Sequence, residues 1–309
     1  MRLAMSLLVR DEADIIAANI RFHAKLGVQL FIVTDNGSVD GTRELLDDLS
    51  KEVEIIIIDE PAQTIDQDLW VTRMAHHIQQ HGSADWIINN DADEFWLPSS
   101  GNLVDAIEHQ LHTGELPAQE VGLLYCQRSN LIPTREAVNA PGYRFIDNVF
   151  RVQRTLTHNI EPDAAWHENG SDILIRTLPG KVITRMAGLI SIDMGNHGAK
   201  HELARVNTEH IQILHFPVRR FEQFERKVIN YGQSLENNTR FAQNVSRHLR
   251  HWYAQHLNGR LREEYDRFVL PQSRVQALVT DGILVQDQRL QQWHESDDDS
   301  QTPHLRLTG

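Results

Sequence analysis

One cysteine, Cys126, stands in a chain of 309 residues, so no intramolecular disulfide can form. That suits a reducing compartment, and a buried thiol is the plain reading of the residue. Long apolar runs are missing too. None approaches the roughly 18 residues of a membrane span, and "MRLAMSLLVRDE" meets charge too early for a typical signal peptide. A cytoplasmic protein without a transmembrane segment is expected. Basic residues are the minority, 30 Lys and Arg against 43 Asp and Glu, for a formal net charge of −13. Nucleic acid and anionic membrane draw on an excess of Lys and Arg, so neither is expected as a partner of the whole molecule. What remains is ordinary for a globular protein, 40% hydrophobic and 24% charged, with length enough for one large core and an appended subdomain.

Two periodicities alternate along the first hundred residues. "LAMSLLV", "LFIVTD", "VEIIIID" and "WIINN" read as strands, the third as one buried on both faces. Between them, Ile15, Phe22 and Leu26, then Leu45, Leu46 and Leu49, then Trp70, Met74 and Ile78 fall at helical spacing. Strands alternating with helices imply βαβ units, an α/β fold with a mostly parallel sheet flanked by helices, and ligands at the carboxyl ends of the strands. Later strands are expected at "VGLLYCQ", "KVITRM", "LISIDM" and "IQILHF". The expected division is a main domain over 1–235, with 1–100 binding one ligand and 115–235 shaping the side of a second. A helical extension over 236–290 and a disordered acidic tail over 291–309 follow.

Two strand ends carry the chemistry. "WIINNDADEFW" places Asp91, Asp93 and Glu94 directly after an apolar strand, where like charges repel. In extended backbone Asp91 and Asp93 share a face, and two carboxylates aimed at one volume suit a hard cation, Mg²⁺ or Mn²⁺, bridged to phosphates. The competing reading is a solvated turn cap. The second strand end, "TDNGSVDGT", sets Asp35, Ser38 and Asp40 where carboxylates can accept hydrogen bonds from a nucleobase or ribose. An Asx turn with a helix cap explains Asp40 and Thr42 equally well, but Asp35 less readily.

Together, "LLVRDEADIIAANIRFHAKLGVQLFIVTDNGSVDGT", "DWIINNDADEFW" and "ILHFPVRRFEQFERK" resemble the glycosyltransferase family 2-like group of GT-A fold, related to the family 92 type, over roughly residues 3 to 230. The resemblance implies a transferase that takes a nucleotide diphosphate sugar as donor and uses a divalent metal, with Asp91 and Asp93 holding the metal on the diphosphate. It also implies that Asp11, Asp35, Ser38 and Asp40 line the nucleoside pocket. "RDEA" departs from the Asn that many relatives place before the Glu. His215 is a candidate third metal ligand and His197 its competitor; Arg219, Arg220 and Lys227 are candidates for the phosphates, against a plain solvated helix face. "WHENGSDILIR" resembles the acidic motif that supplies the base of inverting enzymes, nominating Glu168, with Asp163 or Asp172 behind it and Trp166 as an acceptor platform. The expectation is a metal-dependent, inverting transferase acting on a glycan, lipid-linked or small-molecule acceptor. The alternatives are a Mg²⁺-dependent nucleotidyltransferase or phosphohydrolase, and a non-catalytic sugar-nucleotide binding module.

Overall fold

The computed structural model describes residues 1–62, 64, 66–154, 174–175, 178–237 and 246–294. Its frame is the alternation read from the sequence. Strands β1 (Leu3–Val9), β2 (Leu30–Asp35), β3 (Ile55–Asp59) and β4 (Trp86–Asn90) pair in parallel in the order β3-β2-β1-β4. Helices α1 (Ile16–Lys25), α2 (Thr42–Leu49) and α3 (Gln67–Gln80) connect them. The near-continuous apolar runs of β1 and β2 follow from burial on both faces, Leu3, Met5 and Leu7 toward one core and Ala4, Leu30 and Ile32 toward the other. The third strand departs from expectation. It is the edge of the sheet, with one neighbour, so its isoleucines are only half-buried.

Beyond β4 the sheet becomes mixed. β5 (Glu94–Pro98), β6 (Val121–Ile132), β7 (Phe150–Val152), β8 (Lys181–Arg185), β11 (Ala204–His215) and β12 (Leu284–Gln286) complete ten strands among the described residues. β8 pairs antiparallel with β4 and with β6, while β11 runs parallel to β6 and antiparallel to β5. β9 (Leu189–Ile192) and β10 (Ala199–His201) form a separate hairpin. Among the described residues, parallel pairing is thus confined to the first four strands and the β6–β11 pair. The fold class is the helix-flanked α/β sheet that was expected, with α4 (Leu103–Thr113) covering β5 and β11.

The short α5 (Arg135–Val138) leads to a second core. There α6 (Phe221–Asn237), α7 (Arg247–Leu257), α8 (Leu261–Phe268) and α9 (Gln272–Thr280) pack around Phe224, Trp252 and Phe268. The extension is not purely helical, because β12 returns to the sheet against β7. Residues 289–294 are helical, with Trp293 against Phe22 at a ring separation of 4.7 Å, so order runs past 291; residues 295–309 lie outside the described set. No described helix is long and apolar enough to cross a membrane.

Candidate active site

The acidic segment after β4 is a turn, not extended strand. Glu94 N donates to the Asp91 carbonyl at 3.1 Å, and β5 begins at Glu94. Buried polar side chains pin this turn. Asn19 Nδ2 of α1 donates to the carbonyls of Ala92 (2.9 Å) and Glu94 (2.8 Å), Asn90 Oδ1 accepts from Trp96 Nε1 (2.8 Å), and His23 Nε2 accepts from Trp96 N (3.1 Å). Because the backbone turns, the two-residue alternation does not apply and the carboxylates diverge. Asp91 accepts from Lys181 Nζ at 2.5 Å and from Asn196 Nδ2 at 3.1 Å. Glu94, wholly buried, takes Arg128 at 2.7 Å and Lys181 at 2.8 Å. Burial opposes the charge of Glu94, and the cations Lys181 and Arg128 overcome it, holding the carboxyl below its usual range.

Asp93 faces another set of groups. Its Oδ2 accepts from Lys227 Nζ at 2.9 Å and lies 3.9 Å from Arg219 Nη1, while its Oδ1 lies 3.6 Å from His215 Nε2. Burial works against ionisation here too, yet Lys227, His215 and Arg219 together keep Asp93 ionised well below the ordinary carboxylate range. His215 ends β11, and its tautomer follows from its neighbours. Asn130 Nδ2 donates to the Leu174 carbonyl at 2.8 Å, which leaves Asn130 Oδ1 facing His215 Nδ1 at 2.7 Å as an acceptor. Nδ1 therefore carries the proton, and burial lowers the pKa of the imidazole. A lone pair on Nε2 and a carboxylate oxygen then confront each other at 3.6 Å, too far for a hydrogen bond and close enough for one small cation to touch both.

That confrontation is the test of a divalent cation, and the pair fits it: a carboxylate oxygen and an imidazole whose far nitrogen is held by an amide are the donors and the support such a site uses. Among the described residues no three His, Cys, Asp or Glu side chains converge for a metal, so a cation here would need ligand oxygens as well. Asp91 is paired with Lys181 and Asn196 instead of with His215 or Lys227. His197 Nδ1 lies 3.1 Å from the Gly180 carbonyl, and its pKa is lowered by burial and by Arg128 and Lys181.

The nucleoside candidates cluster at the ends of β1 and β2. Asp11 sits in left-handed backbone, φ +58°, a conformation Asp tolerates better than most residues. Its Oδ1 accepts from Val39 N (2.8 Å), its Oδ2 from Asn230 Nδ2 (2.7 Å), and its own N–H donates to Ser38 Oγ (2.9 Å). Asp40 is a cap, accepting from Thr42 N (3.0 Å) and Ala13 N (3.1 Å) and facing Arg226 at 3.2 Å. Gly41 after it adopts φ +99°, which only glycine adopts freely. Asp35 is different. Ser38 N donates to its Oδ2 at 3.2 Å, but its buried Oδ1 has no hydrogen-bond partner among the described residues. Beside these residues opens a cleft of about 590 Å³ including its solvent-open part, lined by Arg10, Asn36, Gln67, Trp70, Lys227 and Tyr231, among others.

Of the basic candidates, Lys227 alone lines this cleft. Arg219 is 1% exposed and clamped, donating through Nε to Asp14 Oδ2 (2.7 Å) and through Nη2 to Glu12 Oε2 (2.5 Å). Arg220 donates to the Tyr143 carbonyl at 2.7 Å and lines a separate cavity with Arg21 and Arg144. Asp163, Trp166, Glu168 and Asp172 lie outside the described residues. Sequence reasoning missed Glu12, Asn19, Asn90, Arg128, Asn130 and Lys181. Glu12 borders the cleft, and burial raises its pKa to about 7 against the pull of Arg219 and Lys227. Asn90, directly before the acidic turn, was the most readable of them; the others sit far away in sequence.

With the site assembled, comparison decides the family. The sequence profile of glycosyltransferase family 92 matches residues 4–264, most of the chain. The chain belongs to glycosyltransferase family 92. All three sequence blocks fall inside the matched span. Among curated proteins no sequence matches. Among solved structures, this glycosyltransferase is similar to TarS from S. aureus at 12% identity and a TM-score of 0.40, over 84% of this chain and 71% of that one. It is also similar to glucosyl-3-phosphoglycerate synthase from Mycobacterium tuberculosis, solved with Mn²⁺, uridine diphosphate and glucosyl-3-phosphoglycerate, at 17% identity and a TM-score of 0.35, over 75% and 79%.

Proposed function

We propose that this family 92 glycosyltransferase moves a sugar from a nucleotide diphosphate sugar to a glycan, lipid-linked or small-molecule acceptor, with inversion and with a divalent cation, Mn²⁺ or Mg²⁺. The observation that carries the reading is the Nε2 lone pair of His215 opposite Asp93 Oδ1 at 3.6 Å, in a pair fixed from behind by Asn130. Bound there, the cation would neutralise the charge that develops on the departing diphosphate.

The chain's own residues supply the rest. Asp93 and His215 would hold the cation, and Lys227 would present an ammonium to the phosphates from the rim of the cleft. Trp70 and Tyr231 give the cleft aromatic walls, and Asp35, next in sequence to the cleft residue Asn36, holds in its Oδ1 a buried acceptor for a nucleoside N–H or O–H. Asp91 serves this reading through Lys181 and Asn196, which fix it at the rim of the turn; its role as a direct metal ligand belongs to the sequence resemblance. His197 is the weaker metal candidate: the Gly180 carbonyl holds its Nδ1 much as Asn130 holds that of His215, but among the described residues its ring makes no contact with Asp93, whereas His215 Nε2 does. The proton of the acceptor hydroxyl is assigned to Glu168 or Asp163 on the same resemblance.

The test is release of nucleoside diphosphate from a panel of nucleotide sugars with Mn²⁺, comparing wild type with Asp93→Asn and His215→Ala. Both variants are expected to lose at least about a hundredfold in turnover, the scale of removing one stabiliser of developing charge. Wild-type turnover in Asp93→Asn would refute the metal assignment.

A further inference from the structure

Two basic side chains face Asp93, and they differ in their freedom to leave it. Arg219 is 1% exposed, its guanidinium shared between Glu12 and Asp14. Lys227 donates to Asp93 Oδ2 at 2.9 Å, yet its side chain is 26% exposed and borders the cleft. A lysine is a compact charge on a flexible four-carbon stem, so it can exchange one anion for another by rotamer changes alone. Asn230 and Tyr231 follow it on α6 and line the same cleft, with Gln67 and Trp70 also on its walls. An anion entering the cleft therefore meets Lys227 Nζ, with Arg10 also on the walls, and the clamped Arg219 stays where it is.

Two cations on one carboxylate repel each other. An ammonium on Oδ2 weakens the hold of Oδ1 on a divalent cation for as long as it remains there. We propose that Lys227 is a handover cation: it neutralises Asp93 in the free protein and passes to the phosphates of the incoming donor, so that the divalent cation binds tightly only together with the nucleotide. This rests on the metal reading of Asp93 and His215. Metal and nucleotide then strengthen each other reciprocally, as linkage requires. Without the handover, a site holding a permanent ammonium would bind metal weakly at every stage.

The experiment measures Mn²⁺ affinity of the free protein by electron paramagnetic resonance and, separately, nucleoside diphosphate affinity in chelator by calorimetry, using whichever of the uridine, guanosine, adenosine or cytidine diphosphates binds tightest. Lys227→Met is expected to bind Mn²⁺ about tenfold tighter and the nucleotide about tenfold weaker, both within the usual range of coupling between sites. Opposite signs are the informative feature, since a merely structural lysine would weaken both. Lys227→Gln guards against a folding defect, and Arg226→Met, which removes a nearby charge paired with Asp40, is expected to leave Mn²⁺ affinity within about twofold. Variants of Lys227 that bind Mn²⁺ no tighter than wild type, or equal tightening in Arg226→Met, overturn the handover. Asp93→Asn separates the two levels: wild-type Mn²⁺ affinity in that variant sinks the metal reading itself, whereas loss of Mn²⁺ there with no gain in the Lys227 variants sinks the handover alone.

Discussion

At the scale of single residues, the site is a set of buried charges that are individually costly and collectively balanced. Arg219 shows this most plainly, with Glu12, Asp14 and Asp93 around one guanidinium. Arg219→Met removes the cation and strands buried carboxylates, so unfolding in urea should show a loss of about 3–5 kcal/mol. A variant within 1 kcal/mol of wild type would mean that the network contributes little. His23 gives a pH test away from the chemistry. Burial lowers its pKa from 6.5 to about 3, so below pH 6.5 the unfolded chain takes up a proton that the folded chain refuses. Stability should therefore fall as pH drops from 6.5 toward 3, by up to about 1.4 kcal/mol per unit. In His23→Gln that slope should flatten, which denaturation at pH 5 and pH 7 would reveal; an unchanged slope would remove His23 as its source. Residues of this kind were illegible in the sequence. Nothing in "NIRFHAKL" says that its histidine will accept from the backbone of a strand more than seventy positions away, because that contact exists only once α1 lies on β5.

Elements were read more successfully than residues, for a physical reason. β1, β2 and β4 fall where the apolar runs are, since a strand covered on both faces is apolar for most of its length; β2 and β4 end on buried polar residues, Thr34 with Asp35 and Asn89 with Asn90. β3 has an equally apolar sequence and is half-exposed, because pattern cannot distinguish a central strand from an edge. The acidic turn misled for a related reason. Alternation holds only while backbone stays extended, and Asn19 and Asn90 turn it between Asp91 and Glu94. The helix that carries Lys227 is set by a close crossing: a Cβ at Gly232 would lie 2.1 Å from the ring of Tyr253 on α7. Gly232→Ala must push the two helices apart, and we expect about 1–3 kcal/mol of destabilisation, read from thermal or chemical unfolding. Because α6 also carries Asn230 and Tyr231, the same substitution should weaken nucleotide binding. Unaltered stability would show that α7 adjusts freely.

For the whole molecule, acidic composition argued against polyanionic partners, and the proposed donor, itself an anion, would be met by local charge instead. Local cations, Lys227 beside the cleft with Arg219 and Lys181 behind it, stand among carboxylates that hold them in place. The parallel half of the sheet brings the ends of β1, β2 and β4 together, and the mixed half returns β11 and α6 to the same edge, delivering His215 and Lys227 across more than a hundred residues of sequence. That convergence is what the three sequence blocks encode without displaying it. The central claim, a nucleotide site completed by a divalent cation on Asp93 and His215, is tested most directly by melting temperature. The measurement sets a panel of nucleoside diphosphates, each with and without Mn²⁺, against wild type and Asp93→Asn. A ligand at about a hundred times its dissociation constant adds about 2.7 kcal/mol, or roughly 5 °C in a chain of this size. The account predicts a Mn²⁺-dependent rise of that order with at least one nucleotide in wild type and none in Asp93→Asn; no rise with any of them, or an equal rise in the variant, would contradict it.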